Sequence, residues 1–198
     1  EVAVNNLIRE GYNNINFEGF IFKKPKIFNF GDVMYDAFLL CKEILKPSSK
    51  IKKISEELDN FYLATIHRAE NTDSKNNLKN IIQGLEEISK NIPVILPIHP
   101  RTKEKLNSYN IFPSKVKLID PVSYFDMIYL LEKCLGVLTD SGGLQKEAYF
   151  SEKPCITLRE ETEWVELIDI GANVLVGTNK DKIIEESENI NKSQLKIK

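Results

Sequence analysis

From about Phe61 onward, short apolar runs alternate with segments of helical spacing, and this alternation constrains the fold more than any other feature of the chain. Six runs of five to seven residues are predicted to be strands, at 61–67, 93–99, 115–120, 134–140, 153–158 and 173–177. The segments between them are predicted to be helices, at 77–90, 103–109, 124–133, 144–150 and 163–170. The runs are continuously apolar, which is typical of strands buried on both faces of a parallel sheet. The sequence therefore predicts an open α/β domain whose helices flank a parallel sheet with right-handed crossovers.

The first 60 residues follow a different pattern. A helix is predicted to end at Gly11, and a second helix is predicted over 32–45. A short strand is predicted between them over 26–31, and Pro47 to Lys50 marks a break. These elements do not make a complete domain.

Net charge, the length of the apolar runs and cysteine spacing exclude several classes of binding partner. The formal net charge is −2, whereas nucleic-acid-binding domains usually carry a marked basic excess, so we expect no nucleic-acid partner. No apolar run approaches the roughly 20 residues of a membrane span, so we expect no membrane partner. The three cysteines, Cys41, Cys134 and Cys155, have no metal-ligand spacing, and we expect neither a metal nor a cofactor. Cys134 and Cys155 lie in apolar runs, which indicates buried thiols and a reducing, cytoplasmic compartment.

The rare basic side chains collect where the predicted strands end. Both histidines, His67 and His99, close strands, and three of the four arginines, Arg68, Arg101 and Arg159, lie within two residues of a strand end. Ligands of open parallel sheets bind beyond the carboxyl ends of the strands. The forked guanidinium of arginine suits phosphate or carboxylate groups. This shared placement favours a site for an anionic ligand at that edge.

Each of these residues also has a purely structural interpretation. A histidine at a strand end can simply hydrogen-bond to a nearby loop. Arg159 can form a surface ion pair with Glu160 or Glu161, and Glu70 with Asn71 can serve only to cap a helix.

The segment LTDSGGLQKEA, at 138–148, passes from a strand into a helix around Gly142. The positive end of such a helix favours an anion, and Gly142 with Gly143 lets one approach the backbone. The Ser141 hydroxyl can add a donor, and Glu147 lies one turn further on, placed to accept hydrogen bonds from sugar hydroxyls. The alternative is that Ser141 only caps the helix. The segment matches neither the dinucleotide fingerprint nor the P-loop.

Four segments together resemble the non-hydrolysing UDP-N-acetylglucosamine 2-epimerase family. They are GDVMYDA at 31–37, HRAEN at 67–71, PIHPRT at 97–102, and the run at 139–167 that begins TDSGGLQKEA. Members have the glycosyltransferase-B architecture, in which two Rossmann-like domains hold the nucleotide sugar between them. The resemblance implies that this chain is the carboxyl-terminal domain region, with a Rossmann-like parallel sheet.

The resemblance also implies a division of the chain and an incomplete site. The expected parts are a first-domain tail and linker at 1–30, a UDP-binding Rossmann-like domain at 31–178, and a partial C-terminal helix at 179–198. The amino-terminal domain, which carries the acid/base carboxylates, is absent, and 13–25 looks like an insertion. We therefore expect a fragment or truncated product that is inactive alone.

Residue roles carry over from matching motifs. His67 resembles the histidine required near the diphosphate and sugar. UDP binding is implied for Ser141, Gly142, Gly143, Glu147, Met127 within the uracil segment 121–127, and Arg101. Supporting roles, or roles in the second regulatory UDP-sugar site of some bacterial relatives, are implied for Arg68, Glu70, His99 and Arg159.

As the resemblance implies, the complete enzyme eliminates UDP from UDP-N-acetylglucosamine to give a 2-acetamidoglucal. It then adds UDP back with C2 inverted. The expected partner is a UDP-sugar, and the complete protein is expected to be a homodimer. The alternatives are a UDP-2,3-diacetamido-2,3-dideoxyglucuronate 2-epimerase, a hydrolysing relative, a nucleotide-sugar glycosyltransferase and an inactive UDP-sugar-binding module.

Overall fold

The computed structural model describes residues 2–12 and 27–195, which fall into two compact units, Glu1–Ala37 and Phe38–Lys198. The first unit contains helix α1, Val2–Arg9, which ends in a turn where Gly11 has a φ of +86°. Glycine adopts this left-handed conformation at little cost, so the predicted end of the helix is confirmed. The insertion-like segment 13–25 lies outside the described residues.

The predicted strand over 26–31 is wrong, because residues 27–31 form no strand. Short side chains satisfy the backbone there instead. Asn29 Oδ1 accepts a hydrogen bond of 3.0 Å from the Gly31 amide, and Asp32 Oδ1 accepts one of 3.0 Å from the Met34 amide. Such local bonds favour turns and helix starts over strand pairing. Helix α2 follows as Val33–Glu43, within the predicted range.

The second unit is built on one six-stranded sheet with the order β3-β2-β1-β4-β5-β6, in which all neighbours are parallel. The strands are β1 Tyr62–Thr65, β2 Val94–Pro97, β3 Lys117–Ile119, β4 Gly136–Thr139, β5 Cys155–Thr157 and β6 Asn173–Leu175. Every predicted strand from Phe61 onward is present, and each is two or three residues shorter than predicted.

Helices connect the strands, and serine side chains start several of them. The helices are α3 Ser49–Glu56, α4 Ala69–Thr72, α5 Lys75–Ile88, α6 Pro100–Tyr109, α7 Tyr124–Lys133, α8 Gly142–Phe150, α9 Val165–Asp169 and α10 Lys180–Leu195. Ser48, at the predicted break, accepts a hydrogen bond from the Ile51 amide and begins α3, a helix that the sequence did not indicate. The five predicted helices between strands are present, with α7 at its predicted limits.

The core lies on both faces of the sheet, which explains the continuous apolar runs. Along β1, Tyr62 and Ala64 belong to one buried cluster and Leu63 to the other. Helices α5 and α10 cover the first face, where Gly84 makes room for Ile183: a Cβ at position 84 would lie 3.1 Å from Ile183 Cγ2. Burial on both faces is the reason that this strand shows no polar alternation.

The strand order creates a crevice at the carboxyl edge. From β1 the chain moves outward to β2 and β3, then returns to place β4 on the other side of β1. The connections that follow β1 and β4 therefore leave the sheet in opposite directions, which opens a crevice between them. The Rossmann-like α/β fold predicted for this region is confirmed. Within residues 2–12 and 27–195, no helix is long and apolar enough to cross a membrane.

Candidate functional site

A cavity of about 470 Å³ opens at the carboxyl ends of β1 and β4. Six of the side chains or glycines singled out from the sequence line it, namely His67, His99, Met127, Ser141, Gly143 and Glu147. Pro121, Val122 and Tyr124 of the predicted uracil segment also line the wall. The topology thus brings together residues that lie up to 80 positions apart in the chain.

The amino-terminal end of α8 forms one wall of this cavity. Ser141 is the N-cap, and its hydroxyl accepts a hydrogen bond of 3.4 Å from the Leu144 amide. The Ser141 amide in turn donates to Thr139 Oγ1 over 2.9 Å. The capping interpretation of Ser141 is therefore correct, and the same residue also faces the cavity. Unsatisfied amides and the helix dipole make this terminus suitable for an anion.

Asp140 is the buried organiser of the site, and the sequence did not single it out. Its carboxylate is 0% exposed and accepts hydrogen bonds from the His67 amide at 3.0 Å, the Arg68 amide at 3.0 Å and Asn71 Nδ2 at 3.0 Å. Burying a carboxylate is costly unless donors surround it, so this loop and Asp140 stabilise one another. The sequence feature that could have identified Asp140 is its position, because a carboxylate directly follows the apolar run that forms the fully buried strand β4.

Asp140 also orients the His67 side chain. His67 Nδ1 lies 3.1 Å from Asp140 Oδ1, which leaves Nε2 as the nitrogen that can act on a ligand. The His67 ring is stacked obliquely beside the His99 ring, with 5.8 Å between centroids. His99 begins α6 by accepting a hydrogen bond of 3.2 Å at Nδ1 from the Arg101 amide. Both histidines therefore have structural bonds on one nitrogen and line the cavity as well.

Glu147 and Tyr124 form a hydrogen-bonded pair in the lining of the same cavity. Burial raises the pKa of Glu147, while a hydrogen bond with Tyr124 partly opposes that rise. Burial also raises the pKa of Tyr124, and the Glu147 charge raises it further. A partly desolvated carboxylate of this kind is a strong acceptor for ligand hydroxyls. Tyr124 was identified from the sequence only as a member of the segment 121–127.

Arg101 is turned away from the cavity. Its Nε donates to Thr72 Oγ1 over 2.9 Å, and its Nη2 is paired with Asp73. Asp73 also binds Lys105 Nζ at 2.9 Å, and that hydrogen bond contributes most to lowering the Asp73 pKa. Arg101 is not among the described residues that line the cavity. Its role in UDP binding stays a prediction.

Arg159 organises a chain of ion pairs beside the cavity. The guanidinium is 8% exposed, and it contacts Glu70 Oε1 at 3.1 Å and Glu163 Oε2 at 2.7 Å. Arg68 Nη2 reaches Glu163 Oε1 at 3.5 Å. The structural alternative, a surface pair with Glu160 or Glu161, is not among the ion pairs of the described residues. Arg159 is instead a buried arginine that joins helix α4 to the segment after β5. Arg68, Glu70 and Arg159 are not among the described residues that line the cavity, and their supporting roles stay a prediction.

The described residues offer no cluster of three or more His, Cys, Asp or Glu side chains arranged to hold a metal ion. Cys134 and Cys155 are buried free thiols, and burial raises the pKa of each to about 12. Thiols with such high pKa values are chemically inert at neutral pH.

An open parallel sheet of this order, with its crevice at the β1/β4 switch point, defines the Rossmann-like class of α/β domains. Comparison with known proteins then gives the family. Residues 1–198 match the family described as UDP-N-acetylglucosamine 2-epimerase, and the chain belongs to it.

Relatives of known name share substantial identity with the chain. A UDP-2,3-diacetamido-2,3-dideoxy-D-glucuronate 2-epimerase of Pseudomonas aeruginosa is 49% identical over 178 residues, which is 89% of this chain and 49% of the relative. A UDP-N-acetylglucosamine 2-epimerase of Methanocaldococcus jannaschii is 40% identical over 95% of this chain and 51% of its own length. A crystal structure of the Methanocaldococcus jannaschii UDP-GlcNAc 2-epimerase, in complex with UDP-GlcNAc and UDP, superimposes with a TM-score of 0.82 at 40% identity, covering 96% of this chain and 52% of that one. The chain spans about half the length of the curated relatives it matches.

Proposed function

We propose that this chain is the UDP-binding half of a nucleotide-sugar 2-epimerase, and that the complete protein converts UDP-N-acetylglucosamine into its manno epimer. The observation that carries the proposal is the convergence of His67, Glu147 and the α8 terminus on one cavity. The Methanocaldococcus jannaschii relative, described with UDP-GlcNAc and UDP bound, supports the same class of ligand.

In the proposed arrangement, the diphosphate lies at the amino-terminal end of α8 beside Ser141 and Gly143. Negative charge grows on the diphosphate as UDP leaves the sugar, and preoriented amides with the helix dipole stabilise it at that moment. His67 stands beside this position with Nδ1–H held by the Asp140 carboxylate. In the imidazolium form of His67, Nε2 also carries a proton and donates a hydrogen bond to the departing oxygen. The chain thereby lowers the barrier to eliminating UDP.

Keeping UDP bound prepares the second half-reaction. Met127 and the segment 121–127 contact the base, and Glu147 accepts hydrogen bonds from the ribose. A nucleotide held in this way remains oriented toward the glycal, and its re-addition is effectively unimolecular. The group that removes the C2 proton belongs to the amino-terminal domain of the complete protein, which we propose to have the glycosyltransferase-B architecture.

A second candidate substrate is UDP-2,3-diacetamido-2,3-dideoxyglucuronate. The observation that favours it is the 49% identity with the Pseudomonas aeruginosa enzyme. Both substrates carry the same UDP group, so the residues of this chain serve either reaction in the same way. The other domain binds the sugar, and its residues determine which of the two substrates the complete protein accepts.

The proposal extends to the organisation of the complete protein. Residues 1–30 are the tail of the first domain and linker, 31–178 the UDP-binding domain, and 179–198 part of a C-terminal helix. The complete protein acts as a homodimer in the cytoplasm, in keeping with its buried free thiols.

The test has a binding step and a catalytic step. Calorimetric titration of the chain should show that UDP binds and that GDP binds at least tenfold more weakly, because the base contacts a wall shaped by residues 121–127. The chain joined to an amino-terminal epimerase domain should then produce a second UDP-sugar from one of the two candidates, whereas the chain alone should produce none. Absence of UDP binding would refute the proposal. Release of free sugar and UDP would identify a hydrolysing enzyme, and transfer to an acceptor would identify a transferase.

A further inference from the structure

The carboxylate of Glu163 lies directly against the backbone of Gly142. A Cβ added at Gly142 would stand 3.0 Å from Glu163 Cδ and closer still to Oε1, so a side chain and this carboxylate cannot share the space. Arg68 Nη2 lies 3.6 Å from the same point. From the sequence, we expect a ligand anion to approach the backbone at Gly142. In the structure, the carboxylate of Glu163 occupies that space.

The segment around Glu163 is fastened to the first turn of α8. Thr162 Oγ1 donates to Gln145 Oε1 over 2.7 Å, and Trp164 Nε1 donates to the Gly142 carbonyl over 2.8 Å. These two bonds fix the backbone on each side of Glu163. The Glu163 side chain is nevertheless 42% exposed, so its carboxylate can swing outward about its own torsions while the segment stays in place.

The electrostatic surroundings favour a negative charge at this position. Burial raises the pKa of Glu163, but hydrogen bonds from its own amide and from Arg159, together with the charges of Arg159 and Arg68, lower it overall. The positive end of α8 adds to the attraction. A bound diphosphate would seek the same helix terminus and the same arginines.

Resting on the function proposed above, we propose that Glu163 is an internal counter-anion of the diphosphate site, displaced when UDP binds. Two anions packed against one helix terminus repel each other, so UDP binding must move the carboxylate outward. Arg68, whose contact with Glu163 is long at 3.5 Å, is then free to turn to the diphosphate. Arg159 loses its 2.7 Å contact with Glu163 Oε2 in this movement and stays in place through its 3.1 Å contact with Glu70 Oε1.

The central test is Glu163→Gln, which keeps the shape and removes the charge. UDP should bind roughly five- to tenfold more tightly, the order expected when a like charge a few ångströms away is removed at a partly exposed site. Inorganic pyrophosphate should gain by a similar factor, whereas uridine, which has no phosphate, should gain nothing. The control is Glu161→Gln, which removes the same charge from an exposed position two residues away and should change UDP affinity less than twofold.

The outcomes separate this proposal from the function on which it rests. Unchanged or weaker UDP binding by Glu163→Gln overturns the internal counter-anion, and an equal gain in Glu161→Gln overturns it too, because a general charge effect would then suffice. If the wild type binds no UDP, the proposed function fails as well. If circular dichroism shows that Glu163→Gln is unfolded, Glu163→Asp decides: its shortened side chain withdraws the carboxylate from Gly142, and UDP should again bind more tightly than to the wild type.

Trp164 provides an independent readout in the wild type. It is the single tryptophan of the chain, and its indole N–H is bonded to the Gly142 carbonyl. Displacement of Glu163 changes the charge beside the indole, so pyrophosphate should shift the tryptophan emission. In Glu163→Gln the shift should be at most half as large. An equal shift in both proteins counts against displacement of the carboxylate.

Discussion

Replacing Asp140 by asparagine tests the centre of the site most directly. The Oδ2 atom of Asp140 accepts hydrogen bonds from the Arg68 amide and from Asn71 Nδ2, both at 3.0 Å. In Asp140→Asn, with Oδ1 kept as the acceptor toward His67, an NH₂ group faces those two donors. Each buried donor left without an acceptor costs about 1–3 kcal/mol, so the free energy of unfolding should fall by about 2–4 kcal/mol after partial relaxation. That is a large fraction of the roughly 5–15 kcal/mol typical of a domain.

The control is Asp120→Asn, at the equivalent position after β3. Asp120 is also an aspartate directly after a strand, but its side chain is 78% exposed and pairs only with Lys50 among the ion pairs of the described residues. Exposed ion pairs contribute little, so this variant should unfold at nearly the wild-type urea concentration. Urea titrations followed by circular dichroism give both values. If Asp140→Asn loses no more stability than Asp120→Asn, the role assigned to the buried carboxylate is wrong.

Three further predictions concern the cavity wall. His67→Ala should weaken UDP binding in calorimetry. Lys90→Ala, in the turn between α5 and the amino end of β2, should leave it unchanged; equal affinities would make His67 purely structural. Gly143→Val should abolish UDP binding in a protein that circular dichroism shows to be folded, because Gly143 lies in the regular helix α8 and faces the cavity; normal binding would mean that no diphosphate lies there. Burial raises the pKa of Glu147 and so disfavours its ionised form in the folded chain. Glu147→Gln should therefore raise the melting temperature at pH 7, lose that gain as the pH falls through the folded pKa, and bind UDP more weakly; a lower melting temperature at pH 7 would contradict the assignment.

Much of the fold could be predicted because one physical signal was repeated. Six continuously apolar runs separated by helical spacing admit few arrangements other than a parallel sheet covered on both faces. Helix α3 could not be predicted because Pro47 and the two serines after it indicate a break. In the structure, Ser48 is the N-cap of this helix. The apolar residues of 26–31 favour a strand, but the side chains of Asn29 and Asp32 bond to backbone amides two residues further along the chain.

The candidate site could be predicted as a location but not as a set of contacts. Ends of neighbouring parallel strands meet at one edge, which is why His67 and His99 lie with ring centroids 5.8 Å apart. The sequence places an arginine backbone at that edge without fixing where the guanidinium points, and Arg101 turns to Thr72 and Asp73. Asp140 could not be predicted as a site residue because its partner Arg68 lies 72 residues away in the chain. Glu163 lies only four residues from Arg159, but its contacts with Arg68 and Gly142 join distant parts of the chain.

Gly142 leaves space beside the backbone of α8, but the glycine motif does not specify which group fills that space. The absence of a side chain was interpreted as room for a phosphate, and the structure fills that room with the carboxylate of Glu163. The two interpretations are compatible, because carboxylate and phosphate are attracted by the same helix terminus and the same arginines. If Glu163 is displaced as proposed, its carboxylate compensates those positive groups until the more highly charged diphosphate takes its place. The glycine would then be required in both states, first by the carboxylate and then by the diphosphate.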